Sequence, residues 1–531
     1  MSRRVQLATA AVLASFALGG AAPAAAHGIG GRTDLPLPAW QLAWAAGFAV
    51  ASSFVALGAF WATPRLVAAA DGRVTLDLGT PLFRVVEVIT KAFGLFLFGV
   101  ILWAGWFGNI NGAVNIAGDA FLIWFWVGLQ IVSFLFGDVW RAFNPFVTVA
   151  DAGAWTRARV TGEPMSELDD DAVGSLWPAV VSIFAYLWFE LAYHATDSPR
   201  SIAVFLTTYT VAMLGGAMIE GRGWVRRADG FAVLFTKLAA MAPLYRDDAG
   251  KLRRRPPLAG LSVLGDVPGT VPFILVVLGS TTFDGFTRSS IWLDIAGTRV
   301  GWDRTIASTV GLIVVIGLVG MAYSIAISAM ASITDEESAE LSRVFGPTLV
   351  PIAAAYAVAH YFSLLVLEGQ RMFIRISDPA GRGWDLFGTV DYAIDWTLVS
   401  PDAIAWVQTL AIAIGHVMGV AAAHDVAISR YDHRLAVRSQ YPMLAVMTST
   451  PCSACSCCWA PSRAVLGGPR RAVPEGTGAF WPVPPGSGDR ADRLAPGGWS
   501  ARCGSPWRSR RRACRSDSGS LRGGSCRRVR T

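Results

Sequence analysis

Glu190 and His194 stand four residues apart in an apolar stretch, which puts both on one face of a helix. Ionisable side chains inside a membrane-crossing helix are costly and so mark candidate sites. Few others fall in apolar stretches: Asp284 in "GSTTFDGFTRS", His360 with Glu368 two turns further on, and His416 with His424, also two turns apart. Neutral imidazoles and carboxylates are the ligand set of Zn, Mn or Fe. Glu190, His194, Asp284, His360 and Glu368, joined by His27, are therefore expected to converge on one divalent metal, with Glu190 and His194 also serving catalysis. Such an ion would acidify a water and polarise a phosphoryl oxygen. A different reading takes His194, His360, His416 and His424 as rungs at successive depths, which suits a proton or ion path. Each is also readable as a buried polar residue bonded to a neighbouring helix.

His27 enters the set through processing. Arg3 and Arg4 precede an apolar run from Val5 to Leu18, and Ala24-Ala25-Ala26 forms a small-residue cleavage site. That order is a secretory signal peptide over residues 1–26. Cleavage would leave His27 with a free α-amine beside its imidazole, two nitrogens able to chelate one ion. An uncut signal anchor fits the same residues.

The elements that must position these groups follow from composition. Of 531 residues, 53% are hydrophobic and only 16% charged, well below the roughly 25% charge of soluble domains. Repeated apolar runs predict an all-α, polytopic transmembrane helical bundle of nine to ten spans over residues 27–447. Nine spans are expected near 38–61, 88–107, 117–137, 176–194, 201–219, 268–283, 306–330, 347–367 and 401–424. With the mature N-terminus outside, the inside loops hold twenty Lys and Arg against eight outside, which fits a multi-pass protein of the cytoplasmic (inner) membrane. Phe231, Leu234, Phe235, Leu238 and Met241 lie at helical spacing beside Lys237 and predict a short helix on the inner membrane surface. "FNPF" (Phe143 to Phe146) predicts a proline-set turn. The outside loop 368–400, with Arg371, Arg375, four aspartates, Trp384 and Trp396, is long enough to cover a site.

From residue 448 the chain changes character. All seven cysteines lie there, with 15 Arg, no Lys and four acidic residues. Segment 448–531 is expected to be a disordered Arg/Cys-rich tail, the product of a shifted reading frame. The basic charge of the whole chain resides in it, so the net +7 is no sign of nucleic-acid binding. "PCSACSCC" lacks the paired spacing of zinc folds.

The stretches "HGIGGRTDLPLP", "LGSTTFDGF", "GHVMGVAAAHD" and "SQYPMLAVM" together resemble a family of bacterial polytopic membrane proteins known as fenitrothion hydrolase-like. The resemblance covers roughly residues 27–447 and implies hydrolysis of an organophosphate triester, a small lipophilic substrate that partitions into membrane lipid. No G-x-S-x-G elbow, H-E-x-x-H helix or P-loop is present. The alternatives are a transporter or proton-coupled permease using the intramembrane His and Glu residues, and a non-catalytic membrane partner of another protein.

Overall fold

A computed structural model describes residues 39–448 apart from 78–80, 163–173, 222, 248–249 and 265–266. The expected signal peptide, His27 and the tail from 449 onward lie outside the described residues.

The apolar runs become helices. In chain order the main ones are α1 (Ala39–Phe60), α2 (Pro81–Phe107), α3 (Ile116–Phe136), α4 (Pro145–Thr161), α5 (Trp177–Leu191), α6 (Pro199–Glu220) and α7 (Gly230–Ala239). They continue with α8 (Thr270–Phe286), α9 (Ser290–Ala296), α10 (Gly301–Thr334), α11 (Val350–Leu367), α12 (Pro401–Arg430) and α13 (His433–Ser439). "YPMLAVM" is helical as well, up to Thr448.

Among the described residues, six helical stretches are long and apolar enough to cross a membrane: α2, α3, α6, α10, Ser338–Arg375 around α11, and α12. The pair α8 and α9, bent by 85° at a short break, makes a seventh if counted as one crossing. That is fewer than the nine to ten expected. Of the expected spans, α5 is short, with 15 residues, about 22 Å at 1.5 Å per residue, against the roughly 30 Å of a hydrocarbon core.

Local chemistry sets where helices start. Asn144 caps α4 by accepting from Phe146 N and Val147 N, with Pro145 at the first helical position, so "FNPF" is a capped helix start. Ser400 caps α12 in the same way ahead of Pro401. Within α3, residues Asp119–Gly128 wind as a π-helix, a geometry that recurs at functional sites.

Helix α7 is not a surface helix. Phe231, Leu234, Phe235 and Leu238 are buried and so is Lys237, and the rings of Phe231 and Phe235 pack edge-on against Phe125 at 5.0 and 5.7 Å. Its N-cap Asp229 is fully buried yet well satisfied, accepting from Tyr209 Oη at 2.7 Å, Asn144 Nδ2 at 2.8 Å and Phe231 N at 3.0 Å.

The fold is not purely helical. β1 (Arg73–Asp77), β2 (Leu244–Arg246) and β3 (Lys251–Arg254) form an antiparallel sheet in the order β1-β3-β2, with Arg73 opposite Arg254 and Asp77 opposite Lys251. The loop after α1 and the loop after α7 therefore meet at one end of the bundle.

Helices α11 and α12 pack through small residues. A Cβ placed on Gly415 would lie 2.1 Å from the Ala355 Cβ, and one on Gly419 would lie 3.1 Å from the Thr348 carbonyl oxygen. Close backbone approach of this kind maximises van der Waals contact where lipid leaves little hydrophobic drive between helices.

Candidate functional site

Three of the ionisable residues singled out in the sequence come together. His360 on α11 lies with Nε2 2.8 Å from Asp284 Oδ2 on α8. Tyr356, one turn before His360, donates its hydroxyl to the same carboxylate oxygen at 3.0 Å and stacks on the imidazole with centroids 5.1 Å apart. Tyr361, the next residue along α11, stands edge-on to the imidazole at 4.6 Å and donates to Glu190 Oε1 on α5 at 3.1 Å. Glu190 and Asp284 are within electrostatic range of each other. One helix thus bridges two carboxylates through adjacent side chains.

Two more elements complete the cluster. Tyr186 lies one turn before Glu190 on α5, and Trp126 comes from the π-helical part of α3; their rings are 4.5 Å apart. The Trp126 indole and the Tyr186 hydroxyl both act on the Glu190 carboxylate. Neither forms a hydrogen bond of ordinary geometry, and Glu190 Oε2 is buried without a hydrogen-bond partner among the described residues. Arg288 sits in the break between α8 and α9, with Nη2 2.7 Å from His360 Nε2. The bend is anchored beyond it by Ser289, which caps α9, and by Trp292, packed on Phe283 at 5.1 Å. The cluster is not sealed: the side chains of His360 and Asp284 keep 8% and 15% of their surface accessible.

The other expected residues lie elsewhere. His194 follows α5 and pairs through Nδ1 with Thr305 Oγ1 on α10 at 3.0 Å, between the rings of Tyr193 and Trp302. Glu368 accepts from Arg371 at 2.5 Å, and Arg371 reaches Asp119 at 3.0 Å. This network braces the start of loop 368–400. His416 is buried, with Nδ1 2.8 Å from the Ile412 carbonyl of its own helix. His424 Nδ1 is 3.1 Å from Gln440 Nε2, and its Nε2 is 3.3 Å from the Trp61 carbonyl. An amide nitrogen donates and a carbonyl accepts, so both ring nitrogens of His424 have fixed roles.

Among the described residues no group of three or more His, Cys, Asp or Glu side chains could hold a metal ion. What the cluster offers is proton chemistry: an imidazole held by one carboxylate and a second carboxylate reached through a tyrosine. Arg288, Tyr356, Tyr361, Tyr186 and Trp126 were not foreseen from sequence. The available signal was spacing, since Tyr356/His360 and Tyr186/Glu190 are both i, i+4 pairs.

No family model matches the chain, and no curated protein or solved structure matches it.

Proposed function

We propose that the chain is a membrane-embedded hydrolase of lipophilic organophosphate triesters in which His360 is the general base. The observation that carries the reading is the 2.8 Å contact between His360 Nε2 and Asp284 Oδ2 within the helical bundle. A carboxylate on one ring nitrogen selects the tautomer whose lone pair is on the other and stabilises the imidazolium that follows. His360 Nδ1 then accepts a proton from water as the water oxygen bonds to phosphorus. The bond from phosphorus to the phenolate oxygen breaks on the opposite side, releasing a phenolate and a phosphate diester. The proton returns from His360 to solvent. Tyr361 joins Glu190 to the ring edge of His360. A positioned base of this kind contributes about 10²–10⁴-fold. No step runs through the divalent ion expected from sequence.

The topology belongs to the same proposal. Placement in the cytoplasmic membrane with the mature N-terminus outside would open the cluster toward the outer leaflet, where a lipophilic triester partitions. The sheet joining the loops after α1 and α7 agrees with both loops lying on one side.

The test is turnover of a phosphotriester with a chromogenic phenolate leaving group by the purified protein. His360→Gln and Asp284→Asn should each lose at least about 100-fold in kcat/KM, with unchanged elution on size exclusion. Full turnover in both variants rejects the reading.

A second reading, a proton-coupled permease, has one observation in its favour: the buried Glu190 Oε2 without a partner among the described residues, an acceptor for a carried proton. Proton uptake by proteoliposomes that is abolished by Glu190→Gln, together with no triester turnover, would select it.

A further inference from the structure

The sheet sets two arginines directly against each other. Arg73 on β1 is the cross-strand partner of Arg254 on β3, so both side chains leave one face of the sheet, their Cβ atoms about 5 Å apart. Both residues are exposed, and among the described residues neither side chain has an ion pair or a hydrogen bond. Like charges directly opposite each other destabilise a sheet. The carboxylates nearby do not answer them. Asp247 holds Arg253 at 2.7 Å, and Glu87 holds Arg246 at 3.6 Å. Asp77 stands opposite Lys251, on the other face from Arg254 by the alternation of side chains. Asp71 reaches the sheet through its backbone carbonyl, which accepts from Tyr245 and Arg253.

The rest of that face is leucine and one more arginine. Leu244 lies opposite Arg254, and both Leu76 and Arg246 lie opposite Leu252, two residues along β3 from Arg254. Side chains two apart on a strand share a face, and Leu76 is 46% exposed. The place of the sheet in the fold says which anion meets it. The Arg246–Glu87 ion pair docks β2 on the second turn of α2, and β1 ends at Asp77, just before α2 begins at Pro81. Helix α2 has 27 residues, about 40 Å against a hydrocarbon core of roughly 30 Å. All its charges, Arg84, Glu87 and Lys91, lie toward the Pro81 end. Excess length and charge put that end in the headgroup layer of the membrane α2 crosses, with Val85, Val86 and Ile89 exposed around it. The anions of that layer are lipid phosphates.

We propose that this face of the sheet docks on the lipid surface and that Arg73 and Arg254 together bind the phosphate of one anionic phospholipid headgroup. Planar guanidinium groups present paired N–H donors that match phosphate oxygens. A bound phosphodiester places a negative charge between two positive ones and so turns their repulsion into a site. The leucines meet the apolar edge of the headgroup layer, and the arginine stems lie over apolar surface while their heads stay at the phosphates. A net negative headgroup is preferred over a zwitterionic one, because an ammonium beside the phosphate would meet the same two arginines.

The experiment measures binding of dioctanoyl phosphatidylglycerol to the full-length protein in neutral detergent, with dioctanoyl phosphatidylcholine as the zwitterionic comparison. Wild type should bind the glycerol lipid at least about tenfold more tightly, as two arginines near a lipid surface allow. Equal affinity for the two lipids overturns the proposal without any variant being made. Arg73→Gln combined with Arg254→Gln should abolish the preference, and a double variant that keeps it is equally fatal. Glycerophosphoglycerol, the same headgroup without acyl chains, should bind at least about tenfold more weakly, having nothing to lay on the leucines. If it binds as tightly as the lipid, the ligand is a soluble anion and the docking surface is wrong. Amide exchange in β3 adds a readout in which a purely structural pair behaves differently. Arg73→Thr removes the like-charge pair, so it should raise protection in detergent alone and lower it once phosphatidylglycerol is present. A rise under both conditions leaves only the repulsion and rejects the lipid. Triester turnover plays no part in any of these measurements, so the outcome is separate from that of the hydrolase reading.

Discussion

Asp425 receives the indole N–H of Trp61 at 2.8 Å across 364 residues of sequence. The same carboxylate accepts the backbone N–H groups of Arg65, Leu66 and Val67 at 2.6, 2.9 and 2.8 Å. His424, beside it on α12, holds the Trp61 carbonyl with one nitrogen and Gln440 with the other. The chain leaving α1 is thus tied to α12 by two consecutive residues. Three of these donors are backbone N–H groups, which need partners wherever they are withdrawn from water. This pair gives "AAAHD" a structural duty, since both ring nitrogens of His424 are engaged in the tie.

The first prediction concerns that tie. Asp425→Asn replaces one acceptor oxygen by an NH₂ group aimed at backbone donors. Asp425 is fully buried, and bonds to a charged acceptor are worth about 1.5–3 kcal/mol each. The variant should lose about 3 kcal/mol, read as a lower Tm in detergent and as faster proteolysis between Trp61 and Val67. An unchanged Tm would mean that the tie contributes nothing to stability.

The helices were readable because each apolar run is its own signal. Their ends were less so: the run near 88–107 begins as a helix at Pro81, and that near 306–330 extends over Gly301–Thr334, since polar residues in the last turns do not register as hydrophobic. Helix α7 shows a deeper limit. Phe231, Leu234, Phe235 and Leu238 form the same periodic stripe whether they face lipid or aromatic rings, and only tertiary packing decides. The sheet was unreadable because β1 and β3 are short, five and four residues, and about 180 residues apart. In the site, Glu190, Asp284 and His360 stood out individually through the cost of burying them. Their partners did not, because tyrosine and tryptophan in an apolar run look like ordinary packing, and Arg288 reads as a loop residue until the bend brings it back onto His360.

The second prediction tests close packing of α11 on α12. Gly415→Ala puts a methyl 2.1 Å from the Ala355 Cβ, which no rotamer relieves, so the helices must separate along their whole contact. The expected result is a loss of folded protein, or a drop of at least about 2 kcal/mol, the middle of the range for overpacking. Gly317→Ala is the control, since nothing lies within 4 Å of its added Cβ; it should be neutral or stabilising by about 0.5–1 kcal/mol. Equal behaviour of the two variants would show that the contact is not limiting.

The third prediction concerns the sheet. Asp247, at the turn joining β2 to β3, accepts from Arg253 Nε at 2.7 Å and from Lys251 N at 2.8 Å. These bonds hold its carboxyl below the usual carboxylate range. A depressed folded value means that the stabilisation is fully present above the unfolded pKa, about 3.9, and is lost as pH falls through the folded value. Amide protection of Lys251, corrected for intrinsic exchange, should therefore be constant from neutral pH to about pH 4 and fall below it. Asp247→Asn should reduce the protection and flatten its pH dependence. Protection that stays level under acid would exclude a role for the carboxylate.

The last prediction separates the sequence-level site from the one the helices assemble. His194 and Glu190 share a helix end, which made them the natural catalytic pair. In the fold His194 Nδ1 is bonded to Thr305 Oγ1 between Tyr193 and Trp302, whereas Glu190 is reached from α11 by Tyr361. Removing His194 should loosen the contact of α5 with α10 and leave the Asp284–His360 dyad untouched. His194→Ala is expected to keep turnover within about threefold and to lower Tm by a few degrees, matching a lost hydrogen bond of about 1 kcal/mol. Tyr361→Phe should do the opposite, lowering turnover about tenfold through a less firmly positioned base, because the hydroxyl that ties the ring beside His360 to Glu190 is lost, with little change in Tm. If His194→Ala instead abolishes turnover while Tyr361→Phe is silent, the working site lies at the end of α5, and the cluster around His360 is structural.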